Sequence, residues 1–584
     1  MKLIVGIDFG TSTTVVRYKE EGTDNILPVK DSNGTSDVIP SAIFRMAGHK
    51  ESLYGQEALN ASKGGIEGEL ITNFKMGLLE SDDDKRKEKE SQIKEFMCYI
   101  HKRFSQVTKG LNPDKIDVYV SYPAKWSDSF IDFMKEAVGK AGFGEKVKGS
   151  TTYNNIYGVN EPKAATYNML HSHLAHFQES KMLTSGKPMH VFMLDMGAGT
   201  TDIVIFRLKI DSNGKIEIDN LISYPTVDNP YLCGGREIDK ILSDYIIKYV
   251  LEQTKLSTLD EDFFTDDSAK YWKDQIVSSS LKNNVNVLMP PELQAALKYM
   301  PNGKSTLQKF LFTRTAFETA SESHWKSLYD LITSAMNLYK TNYQIGSEDI
   351  DLLFLTGGHS QWYTIPNLFN GEGVCDYIGK DYQVGNTSSK AMDFKKLRED
   401  PWRMFEDALP HECVAKGLCL QDSTIKIGSV STNNVWIKVE IGDQKAEPIQ
   451  IASVGQHLPI HFDISPRASF NKSGLEKSVF NVSVELLTGS DIAKAKKAKL
   501  YQIVDNDEGR WFANLVLLGL PILFGGYSTT IEIPLRIDVN EDNSIDINGY
   551  YLYANGIDTP KEKLNKLEKD GKVVTISKSQ LKYE

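Results

Sequence analysis

The sequence repeats one short pattern, and this repeat restricts the possible folds more than any other feature. An apolar run leads into an aspartate, a turn rich in glycine and threonine follows, and a second apolar run begins. Residues 3–16 hold the first copy, around Asp8, and residues 191–206 hold the second, around Asp195. Each copy is typical of a β-hairpin with a small-residue turn. We therefore expect two lobes built on one plan.

The rest of the chain divides by its periodicity. Up to about residue 420, apolar strand-like runs alternate with helical patterns such as 127–141 and 325–339, which indicates an α/β domain over 1–420. From 421 to 556, short β-branched segments are separated by Asn, Asp, Gly and Ser, which indicates a separate β-rich domain. Residues 557–584 are rich in Lys and Glu, and we expect a peripheral helix or a frayed charged tail.

Composition excludes several classes of protein. With 67 Lys and Arg against 78 Asp and Glu, the net charge is −11, which disfavours nucleic-acid and anionic-membrane partners. The first strand starts at once, so we expect no signal peptide, and the most apolar stretch, 515–524, is too short to span a membrane. The five cysteines lack zinc-site spacing and are typical of reduced thiols, so we expect a cytoplasmic protein.

The two repeated turns have the chemistry of a phosphate site. Glycines at positions 10, 197 and 199 allow the backbone to approach a polyphosphate, and the threonines add hydroxyl donors. Neither copy ends in the Gly-Lys-Ser/Thr of a P-loop. A carboxylate beside phosphate requires a cation between them, and Mg²⁺ is suited to this position. Asp8 and Asp195 are thus expected to face each other across a cleft, although an isolated turn of this kind is often only structural.

A third element is the apolar run 352–355, which leads into Gly357 and Gly358. A strand that ends in a glycine pair lets the backbone pack flat against a nucleoside, although many such turns are purely structural. Because the sequence also contains the two phosphate turns, we interpret this glycine pair as a nucleoside contact.

The order of these motifs resembles the heat shock protein 70 family, the DnaK-like chaperones, within the actin and sugar-kinase ATPase superfamily. The further segments that carry the resemblance are DSNGTSDVIPSAIF (31–44), YGQEA (54–58), NFKMGL (73–78), YPAKWSDSF (122–130), NEPKAATYNML (160–170), CGGREID (233–239), TRTAFE (313–318) and PHECVAKGL (410–418). The resemblance implies a two-lobed actin-like ATPase fold with duplicated ribonuclease H-like lobes, followed by an all-β sandwich domain that resembles the family's peptide-binding domain.

The resemblance also implies a site for ATP or ADP with Mg²⁺. The metal would be held largely through water by Asp8, Asp195, Asp202 and Glu161. The implied nucleotide contacts are Gly10, Thr11, Ser12, Thr13, Gly197, Gly199, Thr201, Gly234, Gly235, Gly357 and Gly358. The implied catalytic residues are Lys75, Glu161, Asp195 and Thr200, with Lys75 stabilising the γ-phosphate and positioning the attacking water. Because the transition state of phosphoryl transfer is loose, such charge stabilisation suffices without a covalent nucleophile.

The chain departs from the family pattern at the base pocket. The helix that supplies the family's base-binding Lys and Arg is matched by 275–279, which has neither, and the turn after Gly358 lacks the stacking arginine. Trp362 or Tyr363 could replace that arginine by ring stacking. His359 could contact the ribose or lie exposed in the loop.

Two further departures concern partners. Ile131 stands where the family has an arginine for interdomain and co-chaperone contacts, so a J-domain partner is doubtful. After residue 555 the sequence is too short for the family's helical lid, and we expect a divergent, lidless member.

Three functions remain open at this stage. The first is a slowly hydrolysing ATP-dependent chaperone in which nucleotide state gates the binding of unfolded or extended peptides by the β domain. The second is a nucleotide-gated interaction module for one dedicated folded partner. The third, a small-molecule kinase, lacks any obvious substrate base and is least favoured.

Overall fold

The computed structural model of the chain describes residues 1–79, 82–123, 128–146, 153–210, 216–225, 233–254, 284–288, 309–375, 377–384, 387–389, 392–406, 409–420, 426–428, 431, 434–441, 444–445, 447–453, 456–471, 482–489, 492–494, 496–502, 528–540, 545–550, 552–555, 560–566, 568–569, 572–573, 575–577 and 582–583. The chain divides into two compact units. Unit 1 comprises Met1–Ala124, Met134–Leu221 and Tyr231–Lys426, and unit 2 comprises Lys125–Phe133, Ile222–Pro230 and Ile427–Glu584. Both predicted domain boundaries, at 420/421 and 556/557, border residues outside the described part of the chain.

The described α-helices are α1 Gln56–Lys63, α2 Asp83–Val107, α3 Asp128–Val138, α4 Glu161–Glu179, α5 Gly235–Thr254, α6 Arg314–Ala320, α7 Glu322–Tyr343, α8 Thr364–Asn370, α9 Lys395–Glu399 and α10 Cys413–Cys419. A π-helical turn follows α3 at Gly139–Phe143. Short 3-10 helices cover Met76–Leu79, Ser347–Asp349, Pro401–Arg403, Pro410–Glu412, Ile492–Lys494 and Lys561–Lys563. No helix among the described residues has both the length and the apolar character needed to cross a bilayer.

The strands from the start of the chain to α10 are β1 Lys2–Phe9, β2 Thr13–Glu20, β3 Leu27–Pro28, β4 Val38–Pro40, β5 Ala42–Met46, β6 Ser52–Tyr54, β7 Gly68–Thr72, β8 Lys115–Tyr122, β9 Ile156–Asn160, β10 Met189–Met196, β11 Thr201–Ile210, β12 Ile216–Tyr224, β13 Asn284–Leu288, β14 Lys309–Thr313, β15 Leu352–Thr356, β16 Tyr382–Val384, β17 Thr387–Ser389 and β18 Met404–Glu406. The prediction of a mixed α/β fold is confirmed by this alternation of helices and strands.

The first large sheet has the strand order β3-β2-β1-β8-β9. Its strand β1 pairs antiparallel with β2, the other arm of the first hairpin, and parallel with β8. Leu3, Val5, Ile7 and Phe9 alternate along β1 and are all buried, so one face of the strand lies in the core. Asp8, which lies between two of them, points the other way at the end of the strand.

The second large sheet repeats these pairings. Its order includes β18-β15-β10-β11-β12, with β10 antiparallel to β11 and parallel to β15. Every residue of β10 is buried, as expected for a central strand that is covered on both faces. Each repeated hairpin therefore places its aspartate at the end of a central strand, beside a parallel neighbour.

The strands after α10 are β19 Lys426–Gly428, β20 Asn434–Ile441, β21 Gln444–Lys445, β22 Ile449–Ala452, β23 Ile460–Ile464, β24 Arg467–Asn471, β25 Val482–Gly489, β26 Lys496–Gln502, β27 Ser528–Glu532, β28 Leu535–Val539, β29 Ile545–Tyr550, β30 Leu552–Asn555, β31 Asn565–Lys566, β32 Glu568–Lys569, β33 Lys572–Val573, β34 Thr575–Ser577 and β35 Lys582–Tyr583. In unit 2 they form sheets of order β21-β20-β25-β26-β35, β23-β28-β29-β34 and β24-β27-β30-β31. Apolar residues alternate with polar ones along β28, where Leu535, Ile537 and Val539 are buried.

The charged C-terminal segment differs from the expected helix or frayed tail. Strand β31 pairs with β30, β34 pairs with β29, and β35 pairs with β26. The β-branched run at 573–576 explains part of this result, because such residues suit a pleated, half-buried surface. The high Lys and Glu content of the whole segment obscured this local signal.

Candidate functional site

The two repeated turns are closed by the same hydrogen bond. The N–H of Gly10 donates to the carbonyl oxygen of Thr13 over 3.0 Å, and the N–H of Gly197 donates to that of Thr200 over 2.9 Å. The first turn is also tied to Ser41, whose hydroxyl donates to the carbonyl oxygen of Gly10 over 2.9 Å. In both copies the glycine follows the aspartate by two residues, so the sequence repeat is also a repeat of local structure.

The two turns lie close together within unit 1. A Cβ atom built on Gly199 would lie 3.0 Å from the Oγ1 atom of Thr11 and 3.0 Å from the Sδ atom of Met76. Thr11 is 9% exposed, whereas Ser12, Thr13 and Thr200 are half-buried. The structure thus brings the candidate phosphate donors of both turns to one place.

Asp8 lies at the end of β1 and is held by a side chain from the parallel neighbour strand. The hydroxyl of Ser121, near the end of β8, donates to the Oδ1 atom of Asp8 over 2.7 Å. Burial raises the pKa of Asp8 to about 7, with a further contribution from the carboxylate of Glu161, while Lys75 and Ser121 oppose the shift. Ser121 is not among the residues predicted from the sequence. The signal was its position, because the ends of adjacent parallel strands share one edge of a sheet.

Asp195 occupies the equivalent position on β10. It pairs directly with Asp202 of β11 in the antiparallel register. Burial raises the pKa of Asp195 well above its usual range, and the carboxylates of Glu161, Asp202 and Asp8 add to the shift. The four predicted acidic residues therefore act on one another electrostatically.

Lys75 is the cation of this acidic group. Its Nζ atom lies 3.0 Å from the Oε1 atom of Glu161 and donates to the carbonyl oxygen of Phe9. Lys75 is 5% exposed, so it is not an ordinary surface lysine. Glu161 is the first residue of α4, whose start is capped by the side chain of Asn160. A carboxylate at a helix N-terminus is favoured by the helix dipole.

The start of α5 packs against the second turn. The N–H of Gly235 donates to the carbonyl oxygen of Gly197 over 3.1 Å. A Cβ atom built on Gly234 would lie 2.4 Å from the carbonyl oxygen of Ala198. Thr201 is fully buried, and its hydroxyl donates to the carbonyl oxygen of Cys233 over 2.5 Å. The glycine pair therefore sets how close α5 approaches the turn.

The glycine pair after β15 also lies at this edge. Gly357 has a φ of +82°, and a Cβ atom there would lie 2.4 Å from the carbonyl oxygen of Met196 and 2.7 Å from the Oδ1 atom of Asp195. Gly358 is exposed, and a Cβ atom on it would meet no atom within 4 Å. One glycine thus packs on the end of β10, while the next faces open space.

The expectations for the residues after this pair were wrong in two respects. His359 is neither exposed nor free to contact a ribose with its ring nitrogens, because it is 3% exposed and both nitrogens are bonded to Trp362 and His324. Trp362 is 2% exposed and stacks on Phe317, with 4.9 Å between ring centroids, so its indole belongs to the core. Sequence patterns around a loop did not show that this loop folds inward.

Tyr363, the second residue expected to replace the stacking arginine, contacts two charged side chains of α6. The ring of Tyr363 lies under the guanidinium of Arg314 at 4.4 Å, and its hydroxyl donates to Glu318 over 3.1 Å. The segment 275–279, predicted to match the family's base-binding helix, lies outside the described residues.

The acidic group has the composition expected for a hydrated divalent cation. Among the described residues, no set of three or more His, Cys, Asp or Glu converges closely enough to ligate an ion directly. Glu161 nevertheless contacts the Lys75 ammonium, which also acts electrostatically on Asp8 and Asp195, and repulsion from neighbouring carboxylates contributes to raising the pKa values of Asp8 and Asp195. Such an excess of carboxylates over cations fits Mg²⁺, which keeps several waters when it binds.

Comparison with known proteins gives distant matches. No protein-family model matches the chain. The chain is 25% identical to the Chaperone protein DnaK of Thermotoga neapolitana over 370 residues, 61% of this chain and 53% of that protein. It is 22% identical to the Chaperone protein DnaK of Elusimicrobium minutum over 392 residues, 66% of this chain and 55% of that protein. A third such protein, from Nitrosopumilus maritimus, is 24% identical over 249 residues, 42% of this chain and 34% of that protein.

The matches to the first two relatives span only about half the length of those proteins. All three are nonetheless DnaK chaperones, and they support a relationship between this chain and the heat shock protein 70 family.

Proposed function

We propose that this chain binds ATP or ADP with Mg²⁺, hydrolyses ATP slowly, and uses its nucleotide state to gate the binding of extended peptides by its β-rich C-terminal region. The observation that carries the proposal is the pair of turns closed by the same hydrogen bond, each beginning two residues after an aspartate whose pKa is raised by desolvation. The relationship to DnaK chaperones supports the chaperone-like part. The proposed fold of residues 1–420 is the two-lobed actin-like ATPase.

The proposed roles follow from the chemistry of each group. Backbone N–H groups and hydroxyls of the two turns, including Thr11, Ser12 and Thr200, would donate to phosphate oxygens. Asp8, Asp195, Asp202 and Glu161 would hold the waters of the metal. Bound magnesium would neutralise charge on the phosphate oxygens.

Lys75 would stabilise the charge that develops on the transferred phosphoryl group. Its ammonium is already oriented by the carbonyl oxygen of Phe9 and by Glu161. Because these partners are fixed before ligand binds, little reorganisation is needed during the reaction. Glu161 and Asp195 would orient the attacking water.

Calorimetry tests the nucleotide site. ADP should bind in the presence of Mg²⁺ and lose most of its affinity when the metal is chelated. Asp195→Asn should weaken this magnesium-dependent binding, whereas Asp24→Asn, at a carboxylate whose side chain is 89% exposed, should not. Absence of magnesium-dependent ADP binding in the parent protein would contradict the proposal.

A peptide array probed with and without ATP tests the gating. Release of many unrelated apolar peptides on addition of ATP is the result expected of a chaperone. Binding to no peptide would instead favour a module for one dedicated folded partner.

A further inference from the structure

Two buried histidines, His324 and His359, lie side by side behind the Gly357-Gly358 loop. The Nε2 atom of His324 lies 3.3 Å from the Nε2 atom of His359, and the residues are 2% and 3% exposed. Two imidazole nitrogens at this distance share a hydrogen bond only if one of them carries the proton and the other does not. The neighbours of the pair determine which one does.

The direction of the hydrogen bonds starts at Trp362. Its indole N–H, which can only donate, lies 2.8 Å from the Nδ1 atom of His359. That nitrogen must accept, so a neutral His359 carries its proton on Nε2 and donates to the Nε2 atom of His324. His324 is then protonated on Nδ1, which lies 3.0 Å from the Oε2 atom of Glu237 and donates to this carboxylate. The four side chains form one chain of hydrogen bonds that runs from Trp362 to Glu237.

This chain connects the elements that surround the candidate site. Glu237 lies in the first turn of α5, two residues after Gly235 of the glycine pair that packs on the second phosphate turn. His359 is the residue after Gly358, and its N–H donates to the carbonyl oxygen of Met196 over 2.9 Å. His324 lies at the start of α7 and links the two. The pair of imidazoles therefore bridges the glycine loop and α5.

We propose that His324 and His359 are positioning residues for nucleotide binding, which hold the Gly357-Gly358 loop in register with α5 through this one-directional chain of hydrogen bonds. The exposed Gly358, with open space above it, is the part of the loop that would meet the nucleoside. The role in binding rests on the proposed nucleotide site. The direction of the chain does not, and it can be measured without any ligand.

Long-range ¹⁵N–¹H correlation spectra of the ¹⁵N-histidine-labelled full chain at neutral pH report the tautomer of each ring. We expect His359 as the Nε2–H tautomer and His324 as the Nδ1–H tautomer, assigned by the loss of each signal in single-residue variants. Observation of the opposite tautomer for either ring, or of a charged imidazole, would refute the proposed direction of the hydrogen bonds.

A binding series tests the positioning role. Titration with fluorescent ADP and Mg²⁺ should show that His324→Leu, which removes both the donor and the acceptor, weakens affinity by about tenfold or more. His324→Gln retains one acceptor and one donor and should restore affinity to within about threefold of the parent. The matched control is His190→Leu. His190 is a buried histidine at the start of β10, and its ring is hydrogen-bonded to the hydroxyl of Tyr339. This substitution should lower thermal stability without changing ADP affinity.

Combined substitution provides a further test. Because the two histidines act in one series of hydrogen bonds, the double variant His324→Leu/His359→Phe should weaken ADP binding no more than whichever single substitution has the larger effect. If the parent binds ADP and His324→Leu binds it equally well, or if the glutamine variant is no better than the leucine variant, the positioning role is refuted while the proposed function stands. Absence of ADP binding in the parent refutes the proposed function and, with it, the positioning role.

Discussion

The Nζ atom of Lys75 lies 3.0 Å from the Oε1 atom of Glu161, and the ammonium also donates to the carbonyl oxygen of Phe9. Phe9 is the last residue of β1, directly before the first turn, and Glu161 begins α4. A buried lysine held in this way is oriented without ligand. Its one charge is surrounded by several carboxylates, so its position is set by the structure of the site rather than by solvent.

Removal of this ammonium is expected to reduce catalysis more than binding. Lys75→Ala should lower ATP turnover by roughly 100-fold, because it removes a preoriented charge from the transition state. Single-turnover hydrolysis of radiolabelled ATP measures the effect. Lys102→Ala, at an exposed position of α2, is the matched control and should turn over at the parental rate. Parental turnover in Lys75→Ala would remove Lys75 from the catalytic assignment.

The close approach of α5 to the second turn makes Gly234 sensitive to any side chain. Gly234→Ala would place a Cβ atom 2.4 Å from the carbonyl oxygen of Ala198, so α5 must shift. We expect a loss of about 1–3 kcal/mol in the free energy of unfolding and weaker ADP binding. Gly110→Ala adds the same methyl group where no atom lies within 4 Å and should change stability by less than about 0.5 kcal/mol. Urea denaturation of both variants makes the comparison, and equal stability would argue against this contact.

The raised pKa of Asp8 predicts how the metal-free protein responds to pH. Its pKa is about 7 in the folded protein, well above the usual value for an unfolded chain, so the folded state binds the proton more tightly. This contribution to stability is complete below about pH 4 and is lost as the pH rises through about 7. The loss is at most about 4 kcal/mol.

Chemical denaturation in a chelator at pH 5.5 and pH 8 checks this sign. Asp8→Asn should flatten the difference between the two pH values, since it removes the titrating group. Addition of Mg²⁺ and ADP at pH 8 should restore stability, because a cation reverses the repulsion among the carboxylates. The same difference between pH 5.5 and pH 8 in Asp8→Asn and in the parent would contradict the assigned environment of Asp8.

Substitution of a buried and an exposed tryptophan tests whether the residues after Gly358 belong to the core. Trp362→Ala removes a buried ring that stacks on Phe317 and is expected to lower the free energy of unfolding by about 3–5 kcal/mol. Trp402→Ala removes an indole that is 86% exposed and should change stability by less than about 0.5 kcal/mol. Thermal unfolding of both variants is the measurement. A small effect of Trp362→Ala would show that its ring is not part of the core.

The sequence alone indicated the parts of the fold that are local. The α/β alternation, the helices around 127–141 and 325–339, and the two aspartate hairpins follow from periodicity and from turn residues, because strands, helices and turns are determined mainly by neighbours along the chain. The repeat of the turn hydrogen bond at Gly10 and Gly197 is of the same kind. It depends on a spacing of a few residues, which the sequence shows directly.

The tertiary structure alone decided which distant side chains meet. Ser121 bonds to Asp8 because β8 is the parallel neighbour of β1, and the charged C-terminal segment forms strands because sheet edges are available to it. His359 and Trp362 are buried because α6 and α7 supply Phe317 and His324 to cover them. The burial of a side chain, and hence its pKa and its partners, depends on residues that are tens to more than a hundred positions away. No local pattern contains that information.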